Sequence, residues 1–442
     1  MSEYKRPTTK AEFDKNFAQK KPLMNDTEAY YESSRCLFCY DAPCITACPT
    51  GIDIPLFIKQ IHTQNNEGAA KTIFDSNWLG NACGTVCPTG VLCEGACVYN
   101  HQGVKPIDIG RLQTYATEKV LTPGKQLYTP GEDNGRKVAI IGAGPAGIAC
   151  ASELRVMGYA VDIFEAKKEA TGLLVHGTAP YKITNEAARD EFKWLQDQLG
   201  FNVKYNNAIT SKQQLEKLEN EYDAVFLGVG IGPTRDLGLK GENLENVVGA
   251  VEFIEELRLN QYKLEVPEKV VVIGGGNTAM DAASETARMG AESVTLVYRR
   301  SKEEMGAYYF EYELARGAGA RSIFNAQPVE ILGNGKATGV RFVKTELVDA
   351  RVKPIDGSEF DVEADLVIKA TGQAKMGSLF SLIDQLELDN SSRLVVNDRY
   401  QTTNPKYFAG GDAINGGAEV VNAAHDGKAA AKGINNWLME RK

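Results

Sequence analysis

Cysteine is the residue type in this sequence whose spacing most directly indicates chemistry. All of the nine cysteines except Cys150 lie between positions 36 and 97. They are Cys36, Cys39, Cys44, Cys48, Cys83, Cys87, Cys93 and Cys97. A chain of this length needs no disulfides to hold its core, so eight clustered thiols indicate bound metal. The run from Cys36 to Cys48, which Pro49 follows, is close to the ferredoxin pattern for iron–sulfur clusters.

The number of cysteines favours two [4Fe–4S] clusters. Zinc is the alternative metal, but zinc sites in proteins usually take paired Cys-x2-Cys units. The second run is Cys83-x3-Cys87-Pro88-x4-Cys93-x3-Cys97. Its spacing alone leaves open which of these thiols would bind which cluster.

A glycine-rich turn follows an apolar strand that begins near position 137, and it opens a helix. Its glycines are Gly142, Gly144 and Gly147, and Glu165 stands at the end of the next strand. The first glycine permits a tight turn, the second admits a pyrophosphate, and the third lets the helix pack on the strand. The acid is placed to accept hydrogen bonds from a ribose hydroxyl. This pattern predicts a dinucleotide site, which we assign to FAD.

The same strand, turn and helix pattern returns near position 269. Its turn comprises Gly274, Gly276, Asn277, Thr278 and Ala279. Where the first unit has Glu165, this one has Arg299 and Arg300. A cation at that place can accommodate a ribose 2′-phosphate, which an acid would repel. We therefore predict a nicotinamide nucleotide site that favours NADP(H) over NAD(H). The alternative is an arginine pair that only meets solvent at a strand end.

The C-terminal part carries a second pattern that fits a flavin. The cofactor contacts predicted there are Thr371, Gly372, Gly411, Asp412, Glu419 and Val420. Asp412 would bind the ribityl or pyrophosphate part of FAD. The helix that begins near Val420 would direct its N-terminus at the flavin ring and stabilise negative charge there.

These motifs need two βαβ units and a cysteine-bearing region to position them. Residues 54–77 have helical apolar spacing, with a helix end expected near Gly68, and residues 107–121 predict another helix. The predicted fold class is α/β, with a helical iron–sulfur domain followed by two Rossmann-like domains. We place the iron–sulfur domain at 1–120, a linker at 121–135, the FAD domain at 136–247 plus 368–442, and an inserted NAD(P) domain at 248–367.

The composition restricts the kinds of partner and location. The chain has 442 residues, a net charge of -9 and 43% hydrophobic residues. An acidic protein is repelled by the phosphate backbone of a nucleic acid, so we expect no nucleic-acid partner. No apolar run reaches the length of a membrane span, and the N-terminus has no apolar signal segment. We therefore predict a cytoplasmic protein without a membrane partner.

No side chain stands out as a general acid, base or nucleophile. The four histidines, His62, His101, His176 and His425, have neither metal nor triad spacing. Cys150 lies in the helix after the first glycine turn, where a core thiol is expected. We therefore predict no catalytic residue, because the cofactors would perform the chemistry.

The whole chain resembles the small, electron-input subunit of bacterial dihydropyrimidine dehydrogenase. It is more distantly similar to the glutamate synthase small subunit. Three segments carry this resemblance, 36–54, 83–89 and 106–113. They include cysteines of both runs and the sequence from Pro106 to Gln113. The six-residue step from Cys87 to Cys93 is similar to the dihydropyrimidine type.

The resemblance implies a cluster partition that cysteine counting would not predict. One cluster would be held by Cys36, Cys39, Cys44 and Cys97. The other would be held by Cys48, Cys87, Cys93 and the side chain of Gln113. Cys83 would then be a spare thiol. The resemblance also places residues 170–174 on the flavin side, so Leu174 is an expected cofactor contact.

The resemblance further implies a division of labour between subunits. NAD(P)H would reduce FAD, and two [4Fe–4S] clusters would carry the electrons to a partner that reduces uracil or thymine reversibly. That partner would hold FMN on a β/α barrel and further iron–sulfur clusters, because this chain has no room for a barrel of roughly 200–250 residues. A glutamate synthase small subunit and an NAD(P)H:ferredoxin-type oxidoreductase remain the alternatives.

Overall fold

The computed structural model describes residues 3–441. The helices of the first 121 residues are α1 (Lys10–Asn16), α2 (Asp26–Ser34), α3 (Pro43–Thr46), α4 (Ile54–His62), α5 (Asn66–Ser76), α6 (Gly80–Val86) and α7 (Ile109–Leu121). Short 3-10 turns lie at Thr89–Val91 and Val98–Gln102. The helix predicted from residue 107 is confirmed, as α7.

The prediction of one helix that ends near Gly68 is wrong, because the structure has two helices in this segment. The first ends at His62, and Gln64 adopts a positive φ of 62° that interrupts the helical path. The Asn65 side chain then accepts a hydrogen bond from the Gly68 backbone N–H and caps the next helix. Gly68 therefore lies inside the first turn of α5, since the N-cap asparagine decides where that helix begins.

Strands and helices alternate after residue 136. The first group is β1 (Lys137–Ile141), α8 (Pro145–Val156), β2 (Ala160–Phe164), α9 (Leu173–His176), α10 (Asn185–Leu199), β3 (Asn202–Lys204), α11 (Lys212–Glu221) and β4 (Ala224–Leu227). The next group is β5 (Val247–Gly249), α12 (Ala250–Asn260), β6 (Lys269–Ile273), α13 (Asn277–Arg288), β7 (Ser293–Tyr298), α14 (Tyr309–Gly317), β8 (Arg321–Phe324), β9 (Ala326–Asn334), β10 (Lys336–Val348), β11 (Arg351–Pro354), β12 (Phe360–Glu363) and β13 (Leu366–Lys369). The last group is α15 (Gly377–Phe380), β14 (Tyr407–Ala409), α16 (Asp412–Asn415) and α17 (Val420–Met439). This alternation confirms the predicted α/β class.

The chain divides into two compact units. The main unit comprises Lys20–Val175, Lys182–Ile231 and the chain from Lys375 onward. The inserted unit comprises Gly232–Ala374, His176–Tyr181 and the N-terminal segment up to Gln19. The main unit thus combines the cysteine-bearing helices with the first βαβ unit, and the inserted unit contains the second. The assignment of flavin and nicotinamide domains to sequence ranges stays a prediction.

The main unit contains a parallel sheet in the order β14-β4-β1-β2-β3. The C-terminal strand β14 pairs with β4, so the tail of the chain completes the sheet that the first βαβ unit begins. Helix α17 packs on α8 at close range, because a Cβ on Gly427 would lie 2.0 Å from the Ala146 carbonyl oxygen. The apolar strands are buried on both faces, as is typical of parallel sheets.

The inserted unit contains a second parallel sheet in the order β5-β13-β6-β7-β8. Strand β13 pairs with both β5 and β6. A smaller antiparallel sheet joins β11, β10 and β12, and β9 also pairs with β10. The second glycine turn follows β6, a strand with neighbours on both sides. That position is the carboxyl edge of a parallel sheet, where ligands bind in such folds.

Candidate functional site

The first glycine turn is shaped by backbone contacts at two of its three glycines. Gly142 has a φ of +100°, and a Cβ there would lie 2.5 Å from the Gly228 carbonyl oxygen. A Cβ on Gly147 would lie 2.0 Å from the Gly142 carbonyl oxygen. At Gly144, the N-cap of α8, no atom would lie closer than 3.9 Å to an added Cβ. The middle glycine therefore leaves space where the α8 amide groups begin, which suits a pyrophosphate.

Glu165 is buried behind this turn and fixes its backbone. Its carboxylate accepts hydrogen bonds from the backbone N–H groups of Ala143, at 2.7 Å, and Lys167, at 2.8 Å. Each carboxylate oxygen can accept more than one hydrogen bond. The acid can therefore hold the turn and still accept from a ribose hydroxyl, as its position in the sequence predicts.

The C-terminal motif lies in the same unit as the first glycine turn. Asp412 accepts a hydrogen bond from the Ala418 backbone N–H at 3.1 Å, and burial raises the pKa of its carboxyl. Gly411 has a φ of +70°, which favours glycine, and its N–H donates to Asp426 at 3.0 Å. At the start of α17 the Asn422 backbone N–H donates to the Glu419 carbonyl oxygen at 3.0 Å, and the Glu419 backbone N–H donates to Asn422 Oδ1 at 3.2 Å. One of the amide groups expected to face the flavin is therefore already occupied.

Three other predicted flavin contacts differ in their surroundings. Leu174 is buried in an apolar cluster that includes Ala82 of α6 and Ile183. Thr371 and Gly372 follow β13 in the inserted unit, beside the second glycine turn. There a Cβ on Gly274 would lie 2.3 Å from the Ala370 carbonyl oxygen.

The residues of the main unit fit FAD on two observations. The Gly144 position leaves a cradle that only a residue without Cβ keeps fully open, at the N-terminus of a helix of 12 residues. Glu165 lies at the end of β2, where a dinucleotide ribose is expected. Gly142, Gly144, Gly147 and Glu165 would hold the adenosine and pyrophosphate parts.

The second glycine turn leaves space at its middle glycine, as the first does. A Cβ on Gly276 would meet no atom within 4 Å. Gly275 packs against the Tyr298 ring, where a Cβ would come within 2.4 Å. The Asn277 side chain accepts a hydrogen bond from the Tyr308 backbone N–H at 2.9 Å and so anchors the segment after Glu304. Ala279 is buried, as a residue that packs a helix on its sheet should be.

The two arginines lie at the end of β7. Arg299 is exposed, and Arg300 is partly buried with its Nε lacking a hydrogen-bond partner within residues 3–441. Their backbone carbonyls accept hydrogen bonds from Thr345 and Asn325. Neither guanidinium forms an ion pair with a carboxylate of the described chain. Both charges are thus available to an anionic ligand.

Four cysteines of the first expected set surround one pocket. Its lining includes Cys36, Cys39, Cys44 and Cys97. Burial raises the pKa of the Cys44 thiol to about 12, and the sulfurs of Cys36 and Cys97 add to the increase. Soft thiolates around one cavity are the donor set that iron–sulfur clusters take. Within the described residues, no three Cys, His, Asp or Glu side chains converge on a single metal ion.

Three cysteines of the second expected set are near one another. Burial raises the pKa of Cys93, Glu94 adds to it, and the sulfurs of Cys87 and Cys48 add further. The charge of Lys21 opposes this increase. These three thiols therefore share one electrostatic environment in the main unit.

The structure leaves both Gln113 and Cys83 available to complete that set. Gln113 is buried, and its amide Nε2 donates to the Gly80 carbonyl oxygen at 2.6 Å. That bond leaves the Oε1 atom as the free end of the side chain. A hydrogen bond with Cys87, together with burial, raises the pKa of Cys83. The ligand partition stays a prediction.

Sequence reasoning missed residues that act on the sites from a distance. Lys21 lies 66 residues before Cys87, whose carbonyl oxygen it contacts, so no spacing could indicate it. Glu191 is buried on α10 and accepts hydrogen bonds from the backbone N–H groups of Asn81 and Ala82, at 2.6 and 3.0 Å. It fixes the start of α6, the helix that leads to Cys87. Gly275 was also missed, but the sequence did carry a signal for it, since it is the middle one of three consecutive glycines.

Two family models match this chain. The pyridine nucleotide-disulphide oxidoreductase model matches residues 136–427. The chain belongs to that family. Residues 13–125 match a second model, described as dihydropyrimidine dehydrogenase domain II, 4Fe-4S cluster. The two matches cover the glycine turns and the cysteine-bearing helices respectively.

Curated relatives of this oxidoreductase are similar over almost their full length. The glutamate synthase [NADPH] small chain of Escherichia coli (strain K12) is 36% identical, with 94% of this chain and 92% of the relative covered. The NAD-dependent dihydropyrimidine dehydrogenase subunit PreT of the same organism is also 36% identical, with 94% and 96% covered. The expected resemblance to both kinds of small subunit is confirmed, but the glutamate synthase small chain is not the more distant relative, because both are 36% identical to this chain.

Solved structures support the fold of the oxidoreductase part. Thioredoxin reductase of T. acidophilum has a TM-score of 0.54 and 24% identity, and the match covers 70% of this chain and all of that one. FprA from Mycobacterium tuberculosis in complex with NADPH has a TM-score of 0.58 and 20% identity, covering 69% and 85%. Identities at this level establish the fold alone.

The family and the relatives together define the general activity. The chain is an NAD(P)H-dependent flavin and iron–sulfur oxidoreductase of the small-subunit type. The predicted flavin, nicotinamide and iron–sulfur cofactor classes are confirmed at that level. No helix among residues 3–441 combines the length and apolar character needed to cross a bilayer.

Proposed function

We propose that this chain is the electron-input subunit of an NAD(P)H-dependent dihydropyrimidine dehydrogenase. The observation that carries the proposal is the match of residues 13–125 to domain II of dihydropyrimidine dehydrogenase. The 36% identity to a relative named as a subunit of that enzyme supports it. The six-residue step from Cys87 to Cys93 supports it as well. The substrate would be uracil or thymine, reduced reversibly to the 5,6-dihydro form.

The residues of this chain would bind and orient the cofactors. When bound, NAD(P)H would supply a hydride to FAD, and the two [4Fe–4S] clusters would carry single electrons onward. Gly276 leaves room for the nucleotide phosphates at the N-terminus of α13. Arg299 and Arg300 would pair with a 2′-phosphate and so favour NADPH. Gly144 and Glu165 would hold the pyrophosphate and ribose of FAD.

The pyrimidine-reducing chemistry would belong to a partner subunit. The elements of this chain after residue 136 form the two parallel sheets and one small antiparallel sheet, and these supply no eight-stranded barrel among residues 3–441. We infer that the partner carries FMN on a barrel together with further iron–sulfur clusters. The two chains would form a hetero-oligomer in which this chain provides the entry for electrons.

A glutamate synthase small subunit is the second candidate. The relative of that name is 36% identical over 437 residues, equal to the dihydropyrimidine relative. In that case the same cofactors would supply electrons to a large amidotransferase chain. The first step, reduction of FAD by NAD(P)H, would be unchanged.

The decisive experiment compares the chain alone with the chain plus each partner. Alone, it should oxidise NAD(P)H with an artificial acceptor dye, because that reaction needs only FAD. It should not convert uracil or thymine until an FMN-containing dihydropyrimidine dehydrogenase subunit is added. Pyrimidine turnover by the chain alone would refute the division of labour. Stimulation of only a glutamate synthase large chain would establish the second candidate instead.

The two-cluster assignment has its own test. The anaerobically purified chain should hold close to eight irons and eight sulfides, one FAD and no FMN. Cys97→Ser should lose one cluster, whereas Cys83→Ser should retain both. If Cys83→Ser loses a cluster while Gln113→Ala keeps both, the partition implied by the resemblance is wrong and an all-cysteine partition holds.

A further inference from the structure

Lys21 places a positive charge at the end of the helix that leads to Cys87. Its Nζ donates a hydrogen bond to the Cys87 carbonyl oxygen at 2.8 Å and approaches the Gly84 carbonyl oxygen at 3.4 Å. Both carbonyls lie at the C-terminal end of α6. A cation is favourable there, since it satisfies carbonyls that have no partner within the helix. Lys21 is partly buried, so solvent screens its charge less than at the surface.

The same ammonium also reaches helix α7. A Cβ on Gly110 would lie 3.1 Å from the Lys21 Nζ and 2.6 Å from the Gly84 carbonyl oxygen. The backbones of α6 and α7 therefore cross in contact at the lysine. Cys87 is the C-cap residue of α6, and α7 carries Gln113. One cation thus lies against two of the segments that supply expected ligands of the second cluster.

Two charged side chains, Glu94 and Lys21, act on Cys93 in opposite directions. Glu94 follows Cys93 and accepts a hydrogen bond from the Gly110 backbone N–H at 3.0 Å. Its carboxylate acts on Cys93 in the direction opposite to the Lys21 ammonium. Lys21 is therefore the positive member of an opposed pair that flanks the second set of cysteines.

We propose that the positive charge of Lys21 makes the second iron–sulfur cluster easier to reduce. The inference rests on the two-cluster assignment of the proposed function. With a cluster bound there, uptake of one electron from the reduced flavin would add one negative charge at the site. A fixed ammonium nearby stabilises that charge by Coulomb attraction. Because Lys21 contacts α6 and α7 themselves, the effect holds whether Cys83 or Gln113 completes the ligand set.

The test replaces the charge and measures the reduction potential of each cluster. Lys21→Gln removes the ammonium and keeps a hydrogen-bond donor for the carbonyls of α6. We expect the equilibrium constant for reduction of one cluster to fall about tenfold, which corresponds to about 59 mV for one electron. The other cluster should keep its potential and serve as an internal reference. The measurement is an anaerobic redox titration of the full chain followed by electron paramagnetic resonance.

Control variants separate the charge from a structural role. Lys21→Arg should restore a potential close to that of the unsubstituted chain. Lys71→Gln removes a lysine of the same unit that pairs with Asp75 on the exposed face of α5, and it should change neither potential. Glu94→Gln, the opposite change of charge, should make the same cluster easier to reduce.

The outcomes that overturn the inference are distinct from those that overturn the function. Unchanged potentials in a Lys21→Gln chain that holds eight irons would refute the role of Lys21 alone. Equal shifts of both clusters would also refute it, because the effect would not be local to the second set. An unsubstituted chain that holds only four irons would refute both this inference and the two-cluster assignment.

Discussion

The two glycine turns follow one plan but differ in how tightly the protein fills them. At the first turn, the third glycine cannot carry a Cβ, which would lie 2.0 Å from the Gly142 carbonyl oxygen. Gly172 also closes on it, since a Cβ there would lie 2.9 Å from the Gly144 Cα. At the second turn the third position is Ala279, which already carries a Cβ. The middle glycines are alike, because no atom would lie closer than 3.9 Å to a Cβ added at Gly144 or at Gly276.

The two turns also differ in the charge of the side chains beside them. Glu165 is buried and bound to the backbone of its own turn, so it is part of a rigid cradle. Arg299 and Arg300 follow β7 without carboxylate partners in the described chain. The first turn is therefore closed at its third position and acidic, whereas the second accommodates a Cβ at that position and is cationic; we call them the closed turn and the open turn. This difference fits the predicted assignment of FAD to the first turn and of the nicotinamide nucleotide to the second.

The largest expected effect comes from filling the closed turn. Gly147→Ala introduces a Cβ against main chain, which cannot rotate away. Overpacking of this kind costs about 1–3 kcal/mol or more. We expect the variant to lose most of its FAD and to melt at a lower temperature, measured by flavin absorbance and calorimetry. The reverse change at the open turn, Ala279→Gly, should retain FAD fully. Equal behaviour of the two variants would remove the distinction between the turns.

The next effect comes from placing a charge in the open turn. Gly276→Asp should abolish dye reduction by NAD(P)H, because the carboxylate would repel the nucleotide phosphates at the N-terminus of α13. The FAD content should remain normal, since the first turn is untouched. Gly276→Ala is the matched control: its Cβ meets only open space, so the melting temperature should not change. If the aspartate variant still reduces the dye at an unchanged rate, the nucleotide does not bind at this turn.

The smallest effect concerns the choice of nucleotide. Replacement of both Arg299 and Arg300 by glutamine should weaken NADPH far more than NADH. A charge-assisted pairing with a phosphate contributes roughly 1.5–3 kcal/mol, or about tenfold to more than a hundredfold in affinity. The dissociation constants of NADPH and NADH would measure this difference in affinity, in titrations followed by a fluorescence signal that does not come from the flavin. An unsubstituted chain that prefers NADH, or an equal loss for both nucleotides, would contradict the NADP(H) prediction.

The sequence by itself determined the α/β class, both βαβ units and the course of the C-terminal tail. These follow from short-range rules, because apolar strands, glycine turns and helix starts depend on neighbouring residues. The two strand ends at Glu165 and Arg299 were likewise visible as positions in a repeated pattern. The prediction of a helix end near Gly68 was wrong for an equally local reason, since the Asn65 cap outweighed the apolar spacing.

Only the tertiary structure decided which distant groups surround each site. It brought Cys97 to the pocket of Cys36, Cys39 and Cys44, and it brought the Lys21 ammonium to the carbonyl of Cys87. It also showed that Asn422 bonds the Glu419 backbone at the start of the helix expected to face the flavin. Such contacts depend on how helices cross and on which surfaces are buried together. Spacing along the chain carries no record of them, because each joins segments whose separation in sequence is arbitrary.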